Sequence, residues 1–127
     1  MEIANVIVEF MKSIALPLKL YVPYKSVIAK VAIKHNIPIV YEAFADRNYN
    51  SNLTLVARTE SNAIIKDENE LFEHVFKILT TEKVNTINGR EVDIKANTIC
   101  VHGDNSEVVN LIQFLSKKLN QNQITIL

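Results

Sequence analysis

Two short polar runs carry the residue types from which acid–base chemistry is built. One is Glu42-Ala43-Phe44-Ala45-Asp46-Arg47, with Tyr49 just beyond, and the other is His102-Gly103-Asp104. Each follows an apolar stretch with strand character. In α/β sheets and barrels, ligands gather at the carboxyl ends of strands, where helix N-termini also direct their amides. A histidine there can carry a proton, aspartates can orient it or ligate a cation, and an arginine can bind an anion. Each residue also has a plainer reading. Asp104 and Glu107 have capping-box spacing, which makes Asp104 a helix N-cap. His102 could be a strand-end histidine satisfied by backbone, and Asp46-Arg47 a loop ion pair that is worth little if exposed. Tyr49 reads as packing, His35 and His74 as surface residues on helices, and Cys100 as a buried strand residue rather than a nucleophile.

The elements that must position these runs follow from periodicity. Ile3, Val6, Ile7, Phe10 and Met11 recur at helical spacing, so residues 2–12 read as an amphipathic helix. Residues 18–22 form a short apolar strand closed by Pro23. Ser26 caps a helix that buries Val27, Ile28, Val31 and Ala32, and the strand 38–44 follows. This strand–helix–strand unit favours a parallel pair with a right-handed crossover. Residues 45–66 are less regular, with a turn at Asn48–Asn52 and a short strand at 53–57. Asp67 and Glu70 open a helix bearing Leu71, Phe72, Val75, Phe76 and Leu79. Segments 84–87 and 91–94 flank Asn88-Gly89, which suits a type I′ hairpin turn. The strand 98–102 leads to a helix burying Val108, Leu111, Ile112, Leu115 and Leu119, and 124–127 reads as a last strand. The alternation is that of an α/β protein in one domain spanning 1–127.

Composition excludes several functions. Lys+Arg and Asp+Glu number 14 each, so the zero net charge offers no general attraction to nucleic acid or anionic lipid. Cys100 is the only cysteine, which removes intramolecular disulfides and cysteine-cluster zinc sites. With only Gly89 and Gly103, neither a Walker loop nor a dinucleotide fingerprint can be built. The first residues lack a basic segment followed by an apolar stretch, and no apolar run approaches membrane-spanning length. The expectation is a soluble, cytoplasmic protein with no membrane partner.

Three segments, in order and at matching separations, carry a resemblance. Tyr41-Glu42-Ala43-Phe44-Ala45-Asp46-Arg47-Asn48-Tyr49, Leu55-Val56-Ala57-Arg58 and Thr98-Ile99-Cys100-Val101-His102-Gly103-Asp104 are similar to signature segments of the LamB/YcsF lactam-utilization family of 5-oxoprolinase A subunits. The resemblance covers essentially the whole chain, and it is to the C-terminal half of that family. It implies a partial irregular β/α barrel, half of a deacetylase-like TIM-type barrel, with a β-hairpin insertion. It implies ATP-dependent ring opening of 5-oxoproline to glutamate, a hydrolysis carried out with companion subunits B and C, with ATP entering through the complex. By the same resemblance His102, Asp104 and Asp46 are catalytic candidates, and Arg47, Arg58 and Glu42 bind substrate; whether a metal is bound is left open.

The family's N-terminal motifs, Asp-Leu-Asn-x-Asp and His-Ala-Gly-Asp, do not occur here, and a full barrel needs about 250 residues. The expectation is therefore a site incomplete in this chain alone, completed by an N-terminal half on another chain, and a tendency to self-associate. The alternatives are an inactive truncated remnant or a small carboxylate-binding α/β module. Asn97 stands where the family usually has Asp.

Overall fold

A computed structural model describes residues 1–127. In chain order the elements are α1 (Glu2–Ser13), β1 (Leu20–Pro23), α2 (Val27–Lys34), β2 (Ile39–Phe44), α3 (Glu68–Thr81), β3 (Lys83–Asn85), β4 (Glu91–Asp93), β5 (Thr98–Cys100) and α4 (Val108–Gln121). β1, β2 and β5 form a parallel sheet in that order, with Leu20 opposite Ile39 and Phe44 opposite Cys100. The α/β class and the parallel strand–helix–strand unit expected from periodicity are present. β1 and β5 are open edges of this sheet. β3 and β4 form a separate antiparallel hairpin.

Local chemistry explains the boundaries. The Ser26 hydroxyl accepts from Ala29 N–H at the start of α2, and the Asp67 carboxylate accepts from the Asn69 and Glu70 N–H groups at the start of α3. Both satisfy amides that the first helical turn leaves without partners. α2 ends with Asn36 at φ 57°, and Ile37 N–H returns to Ala32 C=O. α4 ends the same way, with Gln123 at φ 63° and Ile124 N–H donating to Leu119 C=O. In such a terminus an apolar residue just past the turn packs back on the helix. Ile124 does so against the main core, so residues 124–127 are not the strand expected from their composition.

Two further expectations are corrected. Residues 53–57 form no strand; Leu53 sits at φ 66° in a turn closed by its N–H to Asn50 C=O, leaving a single bridge between Tyr49 and Leu55. The hairpin turn is not type I′, because only Gly89 has positive φ there. Gly89 N–H donates to Thr86 C=O and Thr86 N–H donates to Arg90 C=O. That is a type I turn followed by a left-handed glycine, the three-residue hairpin loop.

The main core joins Leu71, Phe72 and Val75 of α3 to Leu111, Leu115 and Leu119 of α4, with Ala45 and Ile65 between them. Full burial of each such leucine contributes about 1.5–3 kcal/mol. A second cluster under β2 contains Ala43, Tyr49, Ile78, Val84 and Ile94. α1 packs through Ala4 and Val8 onto Val31 and Ala32 of α2. Its bulky stripe faces solvent instead, with Ile3 77% and Phe10 63% exposed. The periodicity of α1 was legible, but which face meets α2 is set by the small residues that allow close approach. Val27 and Ile112 are likewise exposed rather than buried. No helix is long and apolar enough to cross a membrane.

Candidate functional site

The carboxyl ends of β2 and β5 lie side by side, because Phe44 and Cys100 are register partners. Just beyond β2 the chain is gripped from two directions. Ile65 N–H donates to Asp46 C=O, Asn48 N–H to Ala63 C=O, and Val56 N–H to Asn48 C=O. Segments 55–56 and 63–65 therefore fix the backbone that carries Asp46 and bury its side chain, which is 3% exposed as a residue.

Asp46 turns to His102, two residues past β5. Oδ1 lies 2.9 Å from His102 Nδ1, and Oδ2 accepts the His102 backbone N–H at 3.1 Å. An ionised carboxylate only accepts, so Nδ1 carries the proton of the neutral ring and Nε2 keeps its lone pair. The Phe44 ring stacks on the imidazole at 5.2 Å between centroids, with planes 15° apart. His102 is thus held in position, orientation and tautomer.

Asp46 also lines a polar hollow of about 350 Å³, with Arg58, Lys66, Asp104, Asn105 and Glu107 among its other walls. Across it, Arg58 Nη1 donates to Asp104 Oδ2 at 2.6 Å. Both side chains are largely exposed, and the Arg58 guanidinium holds the Asp104 carboxyl below its ordinary range. Asp104 is therefore not the cap of α4. That helix begins after Glu107, which makes no side-chain cap, and Asn105 Oδ1 accepts Glu107 N–H instead.

Of the residues singled out from the sequence, the structure brings Asp46 and His102 into contact, and Arg58 and Asp104 into contact; Asp46, Arg58 and Asp104 line the hollow, and His102 adjoins it through Asp46. Two others lie apart from it. Arg47 is buried, donates from Nη2 to Val56 C=O at 2.6 Å, and leaves Nε without a partner. It makes no ion pair with Asp46, so the two are not the loop pair that their adjacency suggests. Glu42 sits within β2, opposite Pro23 on one side and Thr98 on the other, and does not line the hollow. Cys100 is part-buried, and burial raises its thiol pKa, as suits a residue that is not a nucleophile.

Sequence reasoning missed Lys66, Asn105 and Glu107, which reach the hollow only through the loop path. It also placed His74 on the surface. His74 Nε2 lies 3.1 Å from Phe44 C=O, its ring stacks on Tyr49, and burial lowers its pKa. Tyr49 is buried, its hydroxyl accepts Phe44 N–H, and burial pushes its pKa up to about 12. A buried tyrosine needs a partner for its hydroxyl, and that was the available signal. No group of three or more His, Cys, Asp or Glu side chains is arranged to hold a metal ion.

Comparison with known proteins identifies relatives of the chain and its fold. The LamB/YcsF family profile matches residues 1–127. The 5-oxoprolinase A subunit of Bacillus cereus (strain Q1) is 38% identical over 126 residues, covering 98% of this chain and 50% of that protein. Its counterpart of the same name from Bacillus anthracis (strain CDC 684 / NRRL 3495) is 37% identical with the same coverage. The crystal structure of the lactam utilization protein from Thermus thermophilus superposes with a TM-score of 0.88 at 25% identity, over 97% of this chain and 49% of that one. The chain therefore spans about half the length of the relatives it matches. With the whole of its sequence matched and its fold shared, this chain belongs to the LamB/YcsF family.

Proposed function

We propose that the chain supplies the proton-handling wall of the A component of 5-oxoprolinase, in the ring opening of 5-oxoproline to L-glutamate. The observation that carries this reading is the Asp46–His102 pair beside a hollow bearing Arg58. In hydrolysis of a lactam, water adds to the ring carbonyl, the carbon–nitrogen bond breaks, and the nitrogen leaves with a proton. His102 Nε2 is suited to take the proton from water and return it to the departing nitrogen, while Asp46 holds the ring and stabilises its charged form. Arg58 is suited to the substrate carboxylate once that carboxylate displaces Asp104.

ATP does not fit this hollow. Asp46, Asp104 and Glu107 outnumber Arg58 and Lys66 on its walls, and neither glycine provides a phosphate cradle. No step here is routed through ATP, whose binding is assigned to the complex with subunits B and C. The open edges at β1 and β5 and the exposed stripe of α1 support a partial barrel covered by a complementary N-terminal half, or by a second copy in a two-fold pair.

Reconstitution tests the reading. This chain, ATP and subunits B and C are assayed for glutamate release with and without a separately expressed N-terminal half from a relative, and assembly is followed by light scattering. The expected result is no turnover without that half, and turnover with it that His102→Ala lowers by about 10²-fold or more. Full activity in His102→Ala would overturn the assignment. Binding of 5-oxoproline without turnover in the complete mixture would favour the carboxylate-binding alternative, which rests on Arg58 at the hollow.

A further inference from the structure

The second hydrogen-bond cluster, on the other side of β2, bears on the same histidine; its significance rests on the reading of Asp46–His102 as the working pair. Successive residues of a strand direct their amides to opposite sides. Tyr41 C=O accepts Asn97 N–H and Ala45 N–H donates to Cys100 C=O, so these odd-numbered positions face β5. Phe44 therefore turns its N–H and C=O toward β1. But β1 ends at Pro23, opposite Glu42, two residues short of Phe44. A buried peptide left open on that side would lose about the full desolvation penalty of each group.

Two side chains stand where the missing strand would be. Tyr49 Oη accepts Phe44 N–H at 2.9 Å, and His74 Nε2 lies 3.1 Å from Phe44 C=O, to which it must donate. Their rings stack on each other at 6.0 Å, with planes 20° apart. Tyr49 is 3% exposed. The Phe44 ring itself stacks on His102, with centroids 5.2 Å apart and planes at 15°. We propose that Tyr49 and His74 are positioning residues that clamp the Phe44 peptide and, through its ring, hold the His102 imidazole in the orientation in which Asp46 fixes its tautomer. Neither lines the hollow, and their hydrogen bonds reach His102 through Phe44.

The test is imidazole ¹⁵N NMR on the full chain, with thermal unfolding alongside. In the unmodified chain the His102 signals should report one dominant tautomer, protonated at Nδ1. Tyr49→Phe removes only the hydroxyl, and His74→Phe keeps a stacking ring but no donor. Each should move the His102 nitrogen signals toward the average of the two tautomers, and Tyr49→Phe, which frees the Phe44 N–H, should speed its exchange by about tenfold. His74→Gln, whose amide can donate to Phe44 C=O from nearly the same place, should keep the parent's tautomer. Variants that melt earlier while His102 keeps its tautomer would overturn the proposal, since a purely structural role moves stability alone. Should His74→Phe fail to fold, Tyr49→Phe and His74→Gln still decide it. The readout needs no substrate, so it separates from the functional assignment. Loss of turnover in His102→Ala with an unmoved tautomer in Tyr49→Phe would sink the clamp and keep the function. A moved tautomer with unaffected turnover would support the clamp and remove the function.

Discussion

Replacing Asp46 by asparagine removes one negative charge and almost no volume, so its cost can be worked from the contacts alone. Both carboxylate oxygens accept from His102, one from the ring at 2.9 Å and one from the backbone at 3.1 Å. The replacement amide has one acceptor and one donor. It can keep one of the two bonds, and it must present its NH₂ to the other N–H. A hydrogen bond to a charged, buried acceptor contributes about 1.5–3 kcal/mol, and a donor left facing a donor forfeits all of it. The expected loss is therefore about 2–3 kcal/mol. For a domain of this size, about 3 °C of melting temperature accompanies each kcal/mol, so Tm should fall by about 6–9 °C. If the amide oxygen keeps the backbone N–H, its NH₂ faces Nδ1; the clash is relieved only when the ring moves its proton to Nε2, and the ¹⁵N spectrum then reverses. Calorimetry and the imidazole spectrum on one sample measure both consequences. A Tm within about 1 °C of the parent, with Nδ1 still protonated, would refute the reasoning; it would mean that the contact is exposed to water, where surface pairs contribute little.

Two other expectations follow from the same bookkeeping of donors and acceptors. Asp67→Ala removes the acceptor for two amides at the start of α3 and should cost about 1 kcal/mol, read as a denaturant midpoint shift at constant m-value. His74, whose folded pKa burial holds below its ordinary 6.5, should make stability fall with acid. The unfolded chain binds the proton first, so its contribution is complete above pH 6.5 and is lost progressively as pH falls toward the lowered folded value. Asp46 across the Phe44 peptide opposes the shift, and Glu70, Glu73 and Lys77 share the polar hollow beside His74. Melting curves through this window should be flatter for His74→Gln than for the parent; equal slopes would show that His74 titrates as an exposed side chain.

Much of the fold was legible in the residues because local chemistry decided it. Ser26 and Asp67 cap the helices that their spacing announced, and Leu111, Leu115 and Leu119 are buried at the expected period. What was not legible depended on partners distant in sequence. α1 carries a strong apolar stripe, yet Ala4 and Val8 face α2, because contact between helices selects small residues. Ile124 looked like the start of a strand, but a left-handed Gln123 turned it back onto α4. Asp104 and Glu107 had a capping-box spacing, but Arg58, 46 residues earlier in the chain, took the Asp104 carboxylate.

The site itself draws on one segment whose members part company at the end of β2. Phe44 closes the strand and Asp46 lies in the bend just beyond it, and both meet His102. Arg47, one residue on, reaches Val56 instead. Tyr49, two further, closes back on the peptide of Phe44. A single segment is thus divided into residues that hold the histidine and residues that hold the segment. A run of conspicuous polar and aromatic types looks like one catalytic cluster when read along the chain. Its chemistry narrows to Asp46, while Arg47 and Tyr49 spend their polar atoms on backbone. On the proposed reading, the orientation of His102 depends on groups from β2, the loop beyond it and α3, which is why no single spacing in the sequence contains it.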